Sequence, residues 1–207
     1  MKIKEIRIRD PFVYSDKLNK KYYVYGTTEL KEGLNAGNKF SVYVSKDLEN
    51  FDGPFVVFEG TNNFWGTKDF WASEVHLYNG KYYLIGSFFA DHHRRASQIL
   101  VSDSLLGKFK PISNFPQTPV DWDCLDGTLY IENDKPYLIF CHEWTQCEVG
   151  EIWAEELSDD LSKVVNEPFL LFKASDNQFV TSFKEHGMSN CMVTDGPFVV
   201  KESSKMK

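Results

Sequence analysis

The sequence predicts an all-β fold, a β-propeller built from four-stranded blades. One unit of strand-forming residues recurs three times along the 207-residue chain, and each copy holds about four short β runs separated by turn residues. No stretch of ten residues has a convincing apolar period of 3.6, so we expect few helices. The aromatic residues, 15% of the chain, suit a β-rich core.

Each copy of the unit opens with a predicted β-hairpin. The opening runs are residues 10–14 (DPFVY), 74–78 (EVHLY) and 126–130 (DGTLY). The answering runs are residues 21–26 (KYYVYG), 81–86 (KYYLIG) and 135–140 (KPYLIF). The turns between them carry hairpin residues, of which the pair Asn79-Gly80 is the strongest two-residue signal. This alignment places an acidic residue at the start of each copy.

A third and a fourth β run complete each copy. The third run ends in a similar polar segment at Ser45, Ser102 and Ser158, an interval in the fifties that exceeds most helical repeats. The fourth runs are residues 55–58, 109–112 and 168–172. Four strands per unit are typical of a propeller blade.

The repeats divide the chain into parts of a single incomplete propeller domain, residues 1–207. We place blade 1 at about 8–60, blade 2 at about 70–114, blade 3 at about 122–173 and the first strand of blade 4 at about 192–201. Because a propeller needs at least four blades to close, the sequence looks C-terminally truncated. We therefore expect self-association through open blade edges, and little or no activity from this chain alone.

Composition excludes several function classes. The 23 Lys and Arg residues are outnumbered by 30 Asp and Glu residues, with no basic stripe, so no nucleic-acid partner is expected. No segment is apolar and long enough to span a bilayer, and the N-terminal MKIKEIRIRD lacks the apolar run of a signal peptide, so we expect a cytoplasmic protein without membrane contact. The four cysteines have no metal or redox spacing and are interpreted as unreactive thiols.

The acidic residues that open the units indicate a catalytic centre. The first strand of each propeller blade lines the central axis, so Asp10, Glu74, Asp126 and Asp195 should converge on one cavity. Hydrolysis of a glycosidic bond needs one ionised carboxylate to activate water and one protonated carboxyl to release the leaving oxygen. Each acid could instead be a local cap that hydrogen-bonds its own turn.

Four segments resemble successive blade motifs of glycoside hydrolase family 43. They are residues 9–12 (RDPF), 70–76 (FWASEVH), 125–127 (LDG) and 194–198 (TDGPF). The resemblance implies a five-bladed propeller that cleaves arabinosides and xylosides with inversion. It also implies that Asp10 is the general base, that Asp126 orients the acid and raises its pKa, and that Asp195 is the general acid.

One departure from the family pattern concerns the acid. The family usually has a Glu before Gly-Pro, and Asp195 is one methylene shorter, whereas catalytic groups must be placed within about 0.5 Å. Glu143 is the alternative acid, or else a carboxylate at the rim that contacts sugar hydroxyls. The family often holds a metal through a His of the final blade, which this chain lacks, so we expect no protein-ligated metal and no cofactor.

The substrate-binding residues predicted around these acids are Trp71, Glu74, His142 and Trp144. Phe64 and Trp65 could form part of the cleft wall, although core packing is the alternative for any of these aromatic residues. Residues 92–95 (HHRR) are interpreted as a solvated turn or cleft edge.

The leading functional hypothesis is an inverting, exo-acting glycosidase that acts on arabinose- or xylose-containing oligosaccharides. The alternative is a catalytically inactive propeller fragment that binds carbohydrate or serves a structural role.

Overall fold

A computed structural model describes residues 1–28, 37–61 and 63–200. Over these residues the chain forms three four-stranded antiparallel sheets and one two-stranded hairpin. Helical structure there is limited to one α-helical turn, α1 (Trp144–Cys147), and two 3-10 turns, Ile3–Glu5 and Ala174–Asp176. The predicted all-β fold is therefore confirmed. None of the described helices is long and apolar enough to cross a membrane.

The three sheets are blades in which the strands follow one another in sequence order. Blade 1 contains β1 (Ile8–Asp16), β2 (Lys21–Thr28), β3 (Lys39–Ser45) and β4 (Phe51–Glu59). Blade 2 contains β5 (Lys68–Tyr78), β6 (Lys81–Phe89), β7 (Ala96–Ser102) and β8 (Lys110–Pro111). Blade 3 contains β9 (Cys124–Glu132), β10 (Lys135–His142), β11 (Glu151–Glu156) and β12 (Phe169–Lys173). The hairpin consists of β13 (Phe183–Glu185) and β14 (Met188–Cys191).

The predicted turn residues close the hairpins. Asn79 and Gly80 join β5 to β6 with φ values of 46° and 77°, and Asn133 and Asp134 join β9 to β10 with 51° and 62°. Positive φ at both central residues matches the right-handed twist of the two strands. The β1–β2 turn is longer, and the carboxylate of Asp16 stabilises it by accepting the backbone N–H of Asn19 at 3.0 Å.

Aromatic side chains fill the space between the blades. Phe40 and Phe88 are fully buried between blades 1 and 2, with ring centroids 5.5 Å apart. Phe64 packs into the same cluster, 4.9 Å from the ring of Phe88, and Trp65 packs beside it. Phe64 and Trp65 were considered above for a cleft wall. In the structure both are partly buried and pack against this apolar cluster.

A β-bulge interrupts the first strand of every blade. The strand register pairs Arg9 with Thr27, Trp71 with Ser87 and Leu125 with Cys141, and it shifts immediately afterwards. The residues that follow the paired position have a left-handed backbone in all three blades: Asp10 (φ 49°), Ala72 (φ 46°) and Asp126 (φ 54°).

This register corrects the predicted equivalence of Glu74 with Asp10 and Asp126. Ala72 holds that position in blade 2, and Glu74 lies two residues further along the strand. β1 and β9 end six residues after Asp10 and Asp126, whereas β5 ends four residues after Glu74, a difference that alignment on the acidic residues overlooks. Glu74 nevertheless faces the same side, because residues i and i+2 of a strand share a face.

The first strand of blade 4, predicted at about 192–201, is not formed over residues 193–200, and residue 201 lies outside the described residues. A strand needs a hydrogen-bonded neighbour. Among the described residues, hydrogen bonds between backbone groups hold this segment only at its start. There Gly150 donates its N–H to the carbonyl of Met192 at 2.7 Å, and Met192 donates to the carbonyl of Glu148 at 3.0 Å.

We expect Gly86→Ala to destabilise the fold by about 1–3 kcal/mol, because a Cβ at this position would lie 2.5 Å from the fully buried ring of Phe40. Gly127→Ala is the matched control, since its nearest neighbours lie at 3.0–3.1 Å and have less far to move. The measurement is the free energy of unfolding in denaturant. Equal losses for the two variants would contradict this view of the blade contact.

Candidate active site

The structure brings four of the sequence-predicted acids to one cavity of about 630 Å³. Asp10 comes from blade 1, Glu74 from blade 2, Asp126 from blade 3, and Asp195 from the segment that follows β14. The other lining residues are Pro11, Phe12, Val13, Ala72, Gly196 and Phe198. The cavity therefore gathers carboxylates from widely separated parts of the chain.

The bulges aim two of these carboxylates. Asp10 and Asp126 each occupy the left-handed position of their strand. A non-glycine residue in that conformation costs on the order of 1–3 kcal/mol and persists only where its surroundings hold it. Bulges next to active sites commonly redirect a side chain in this way. In this unfavourable backbone conformation, the carboxylates of Asp10 and Asp126 both line the cavity.

Asp126 has the most perturbed acid–base behaviour of the four. Burial raises the pKa of Asp126 to about 8, helped by a hydrogen bond to Asp195 and by the negative charges of Asp195 and Asp10, while the N–H of Gly196 opposes the shift. Ser87 contributes a hydroxyl at 3.3 Å from Oδ1 of Asp126. The surroundings of Asp126 consequently favour the protonated form of its carboxyl group near neutral pH.

Asp10 lies in a more open environment. Its side chain is 53% exposed, and Oδ2 accepts a hydrogen bond from the hydroxyl of Thr27 at 3.1 Å. The guanidinium of Arg9 lies 4.0 Å from the same oxygen. Asp10 is therefore open to water and is contacted by one hydroxyl donor and one cation.

Glu74 is anchored from both sides. Its Oε2 accepts the hydroxyl of Thr128 at 2.8 Å and lies 2.9 Å from Nε2 of His76. The Thr128 bond links blade 2 to blade 3. Glu74 thus lines the cavity with its position held by side chains of two blades.

Glu143 is close to this group but is not among the residues that line the cavity. It precedes α1, and burial raises its pKa. The charge of Asp195 reinforces that shift, whereas a hydrogen bond from Thr145 at 3.0 Å and the charge of Arg95 oppose it. A carboxyl group that is partly buried and influenced by Asp195 remains a candidate proton donor.

His142 and Trp144, which were predicted to bind substrate, do not line the cavity. The ring of His142 stacks on Trp122 at 4.4 Å, and its nitrogens lie 3.2 Å from Glu151 and 3.0 Å from Gln146. The ring of Trp144 lies 5.1 Å from Phe183 and 5.8 Å from His186, on the β13–β14 hairpin. Both side chains are engaged in contacts within the protein.

Trp71 is likewise engaged, and its partner is a residue that the sequence interpretation missed. The guanidinium of Arg95 lies 3.5 Å from the centre of the Trp71 ring and covers one face of it. Arg95 is only 12% exposed, and it bonds the carbonyl of Asp69 at 3.2 Å. Residues 92–95 were predicted to be a solvated turn or cleft edge, and Arg95 differs from the other three, which are all exposed. Adjacent arginines offer no sequence signal for which one turns inward.

One group of described residues has metal-ligating atoms close together. Atoms of His142, Cys147 and Glu151 lie within 4.8 Å of one another. Glu151 is also paired with Lys173 at 2.7 Å and accepts the indole N–H of Trp153 at 2.8 Å. Hydrogen bonds and an ion pair account for this arrangement without a cation.

Comparison with known proteins gives one family. The model of glycosyl hydrolases family 43 matches residues 3–206. An endo-arabinase structure from Bacteroides thetaiotaomicron VPI-5482 is 40% identical with a TM-score of 0.82, and the match covers 92% of this chain and 64% of that one. An endo-1,4-beta-xylanase structure from the same organism is 28% identical with a TM-score of 0.63, over 88% of this chain and 61% of that one.

A curated protein of Bacillus subtilis (strain 168), described as extracellular endo-alpha-(1->5)-L-arabinanase 2, is 24% identical over 155 residues. That match covers 72% of this chain and 32% of the relative, so the chain spans about a third of the length of this protein and less than two thirds of the two structures. Because the family model matches residues 3–206, nearly the whole sequence, the chain belongs to glycosyl hydrolases family 43.

Proposed function

We propose that the protein is a glycosidase that hydrolyses arabinose-containing oligosaccharides with inversion. The observation that carries this proposal is the cavity in which an exposed carboxylate, Asp10, faces a carboxyl pair, Asp126 and Asp195, that retains a proton. One ionised and one protonated carboxyl group are the two components that inverting glycoside hydrolysis requires.

Each acid has a distinct role in this mechanism. Asp10 removes a proton from water as the water oxygen bonds to the anomeric carbon. The bond from that carbon to the leaving oxygen breaks, and Asp195 donates a proton to the leaving oxygen. Asp126 hydrogen-bonds to Asp195 from a buried position and keeps the proton on the pair near neutral pH. Glu143 is the alternative donor.

Arabinose is preferred as the substrate sugar because the 40%-identical structure is described as an endo-arabinase and the curated relative as an arabinanase. Xylose-containing oligosaccharides are the second candidate, supported by the xylanase structure. Exo action, which the sequence hypothesis included, has no support from these three relatives, since all are described as endo-acting. Product analysis separates the modes, because exo action releases single sugars and endo action releases oligosaccharides.

Several expectations stay predictions. They are the cytoplasmic location, the absence of nucleic-acid and membrane partners, self-association through blade edges, and the roles of Trp71, His142 and Trp144 in substrate binding. The curated relative is described as extracellular.

In a form of the protein that has glycosidase activity, we expect Asp10→Asn to lower hydrolysis of arabino-oligosaccharides and aryl arabinosides by about 10²- to 10⁴-fold, because the attacking water loses its base. Asp103→Asn, an exposed acid after β7, is the control and should have no effect. The measurement is the rate of sugar release. Retention of most activity by Asp10→Asn would show that the base is assigned wrongly, and an unmutated chain that only binds the sugars would favour the inactive carbohydrate-binding alternative.

The choice between the two candidate acids can be tested with two leaving groups. We expect Asp195→Asn to lose activity on natural oligosaccharides but to retain much of it on aryl arabinosides, because a nitrophenolate leaves without a proton. Glu143→Gln should affect both substrates alike and less strongly. The reverse pattern for the two variants would assign the acid to Glu143.

The raised pKa of Asp126 also has a consequence for stability. A carboxyl group with a pKa near 8 in the folded chain and near 4 when unfolded binds more protons in the folded state. Folding stability from this group therefore falls as the pH rises from about 4 to about 8. We expect Asp126→Asn to gain stability relative to the unmutated chain over that range, by at most about 1.4 kcal/mol per pH unit. Unfolding curves at several pH values measure this, and a constant difference would contradict it.

A further inference from the structure

Three structurally equivalent residues connect each blade to the next one. Thr27, Ser87 and Cys141 are each the seventh residue of the second strand of their blade, and each is paired with the residue that precedes the bulge. All three carry a hydroxyl or thiol group, and all three are buried.

Each of these groups bonds the next part of the chain that reaches the cavity. Thr27 of blade 1 accepts the backbone N–H of Ala72 of blade 2 at 2.9 Å. Ser87 of blade 2 accepts the N–H of Asp126 of blade 3 at 2.8 Å. The thiol of Cys141 in blade 3 donates to the carbonyl of Thr194, the neighbour of Asp195, at 2.9 Å.

The contacts of the Thr27 hydroxyl group fix the direction of the hydroxyl proton. A hydroxyl group has one proton, and the N–H of Ala72 already occupies an acceptor position of Oγ1. The hydroxyl proton therefore points to Oδ2 of Asp10, 3.1 Å away. A donor in a fixed direction favours the ionised form of a carboxylate and holds one of its oxygens in place.

We propose that Thr27 is a positioning residue for Asp10, holding the carboxylate aimed into the cavity through a hydroxyl that is itself oriented by blade 2. The functional part of this inference rests on the proposed role of Asp10 as the base. The hydrogen bond and its effect on the titration of Asp10 do not depend on that role. The contacts of Ser87 differ, because it bonds both the N–H and the carboxylate of a single residue of the next blade, Asp126.

The test compares four variants of the 207-residue chain. Thr27→Val keeps the shape and removes the hydroxyl, and Thr27→Ser restores the hydroxyl. Thr28→Val is the matched control, because the neighbouring Thr28 also accepts a backbone N–H, that of Ser41 at 3.3 Å, but is not bonded to Asp10. Thr27→Ala also removes the hydroxyl and adds no atoms, so it replaces Thr27→Val if the Thr27→Val variant does not fold.

The first measurement is the pH titration of the Asp10 carboxyl carbon by NMR, which needs no enzymatic activity. We expect the midpoint to rise in Thr27→Val and in Thr27→Ala, and to stay near the unmutated value in Thr27→Ser and Thr28→Val. An unchanged midpoint in folded Thr27→Val or Thr27→Ala, or an equal change in Thr28→Val, would overturn the proposal.

The second measurement is the pH profile of kcat and KM on an aryl arabinoside. We expect Thr27→Val to lower kcat by about 10- to 100-fold, to move the acidic limb to higher pH and to leave KM nearly unchanged, with rescue by Thr27→Ser. An Asp10 midpoint that responds to Thr27→Val supports the hydrogen bond whether or not the unmutated chain is active. An active chain whose acidic limb does not move in Thr27→Val would overturn the positioning role.

Discussion

The left-handed bulge in the first strand of each blade is the constraint on which the cavity depends. A regular strand would direct successive side chains to opposite faces. The bulge instead inserts a residue out of register, and Asp10 and Asp126 are those residues. The backbone cost is met by the packing between blades and by hydroxyl groups such as Ser87, which holds the bulge residue of the next blade. Loss of the contacts between blades would free the carboxylates of Asp10 and Asp126 from their positions at the cavity.

Burial then divides the acids by protonation. Asp10 is open to water and contacts a donor and a cation, whereas Asp126 is enclosed and lies next to a second carboxyl group, Asp195. Charges of the same sign at short range cannot all persist in a poorly solvated site, so one proton is retained. The difference follows from depth within the cavity, since Asp10 and Asp126 are the same residue type in the same local conformation.

The repeated strand pattern predicts most of the fold, and the position of the acids within it predicts their convergence on one cavity. The turn pair Asn79-Gly80 and the apolar strands that flank it indicate the hairpin directly. The position of Glu74 could not be predicted correctly, because no residue marks that β5 ends four residues after its acid whereas β1 and β9 end six residues after theirs. The contacts of Arg95 and His142 involve partners such as Asp69 and Trp122, which only the folded chain brings near them.

Ala72 has the backbone conformation of Asp10 and Asp126 but no carboxylate. Its left-handed φ is costly for alanine, so the bulge persists in blade 2 without a catalytic group to justify it. The same left-handed backbone position therefore occurs in each of the three blades, whereas its side chain is Asp in blades 1 and 3 and Ala in blade 2. One substitution at this position can add or remove a carboxylate while the strand keeps its conformation. The charge on the cavity can therefore change from one blade to the next while the strands stay the same.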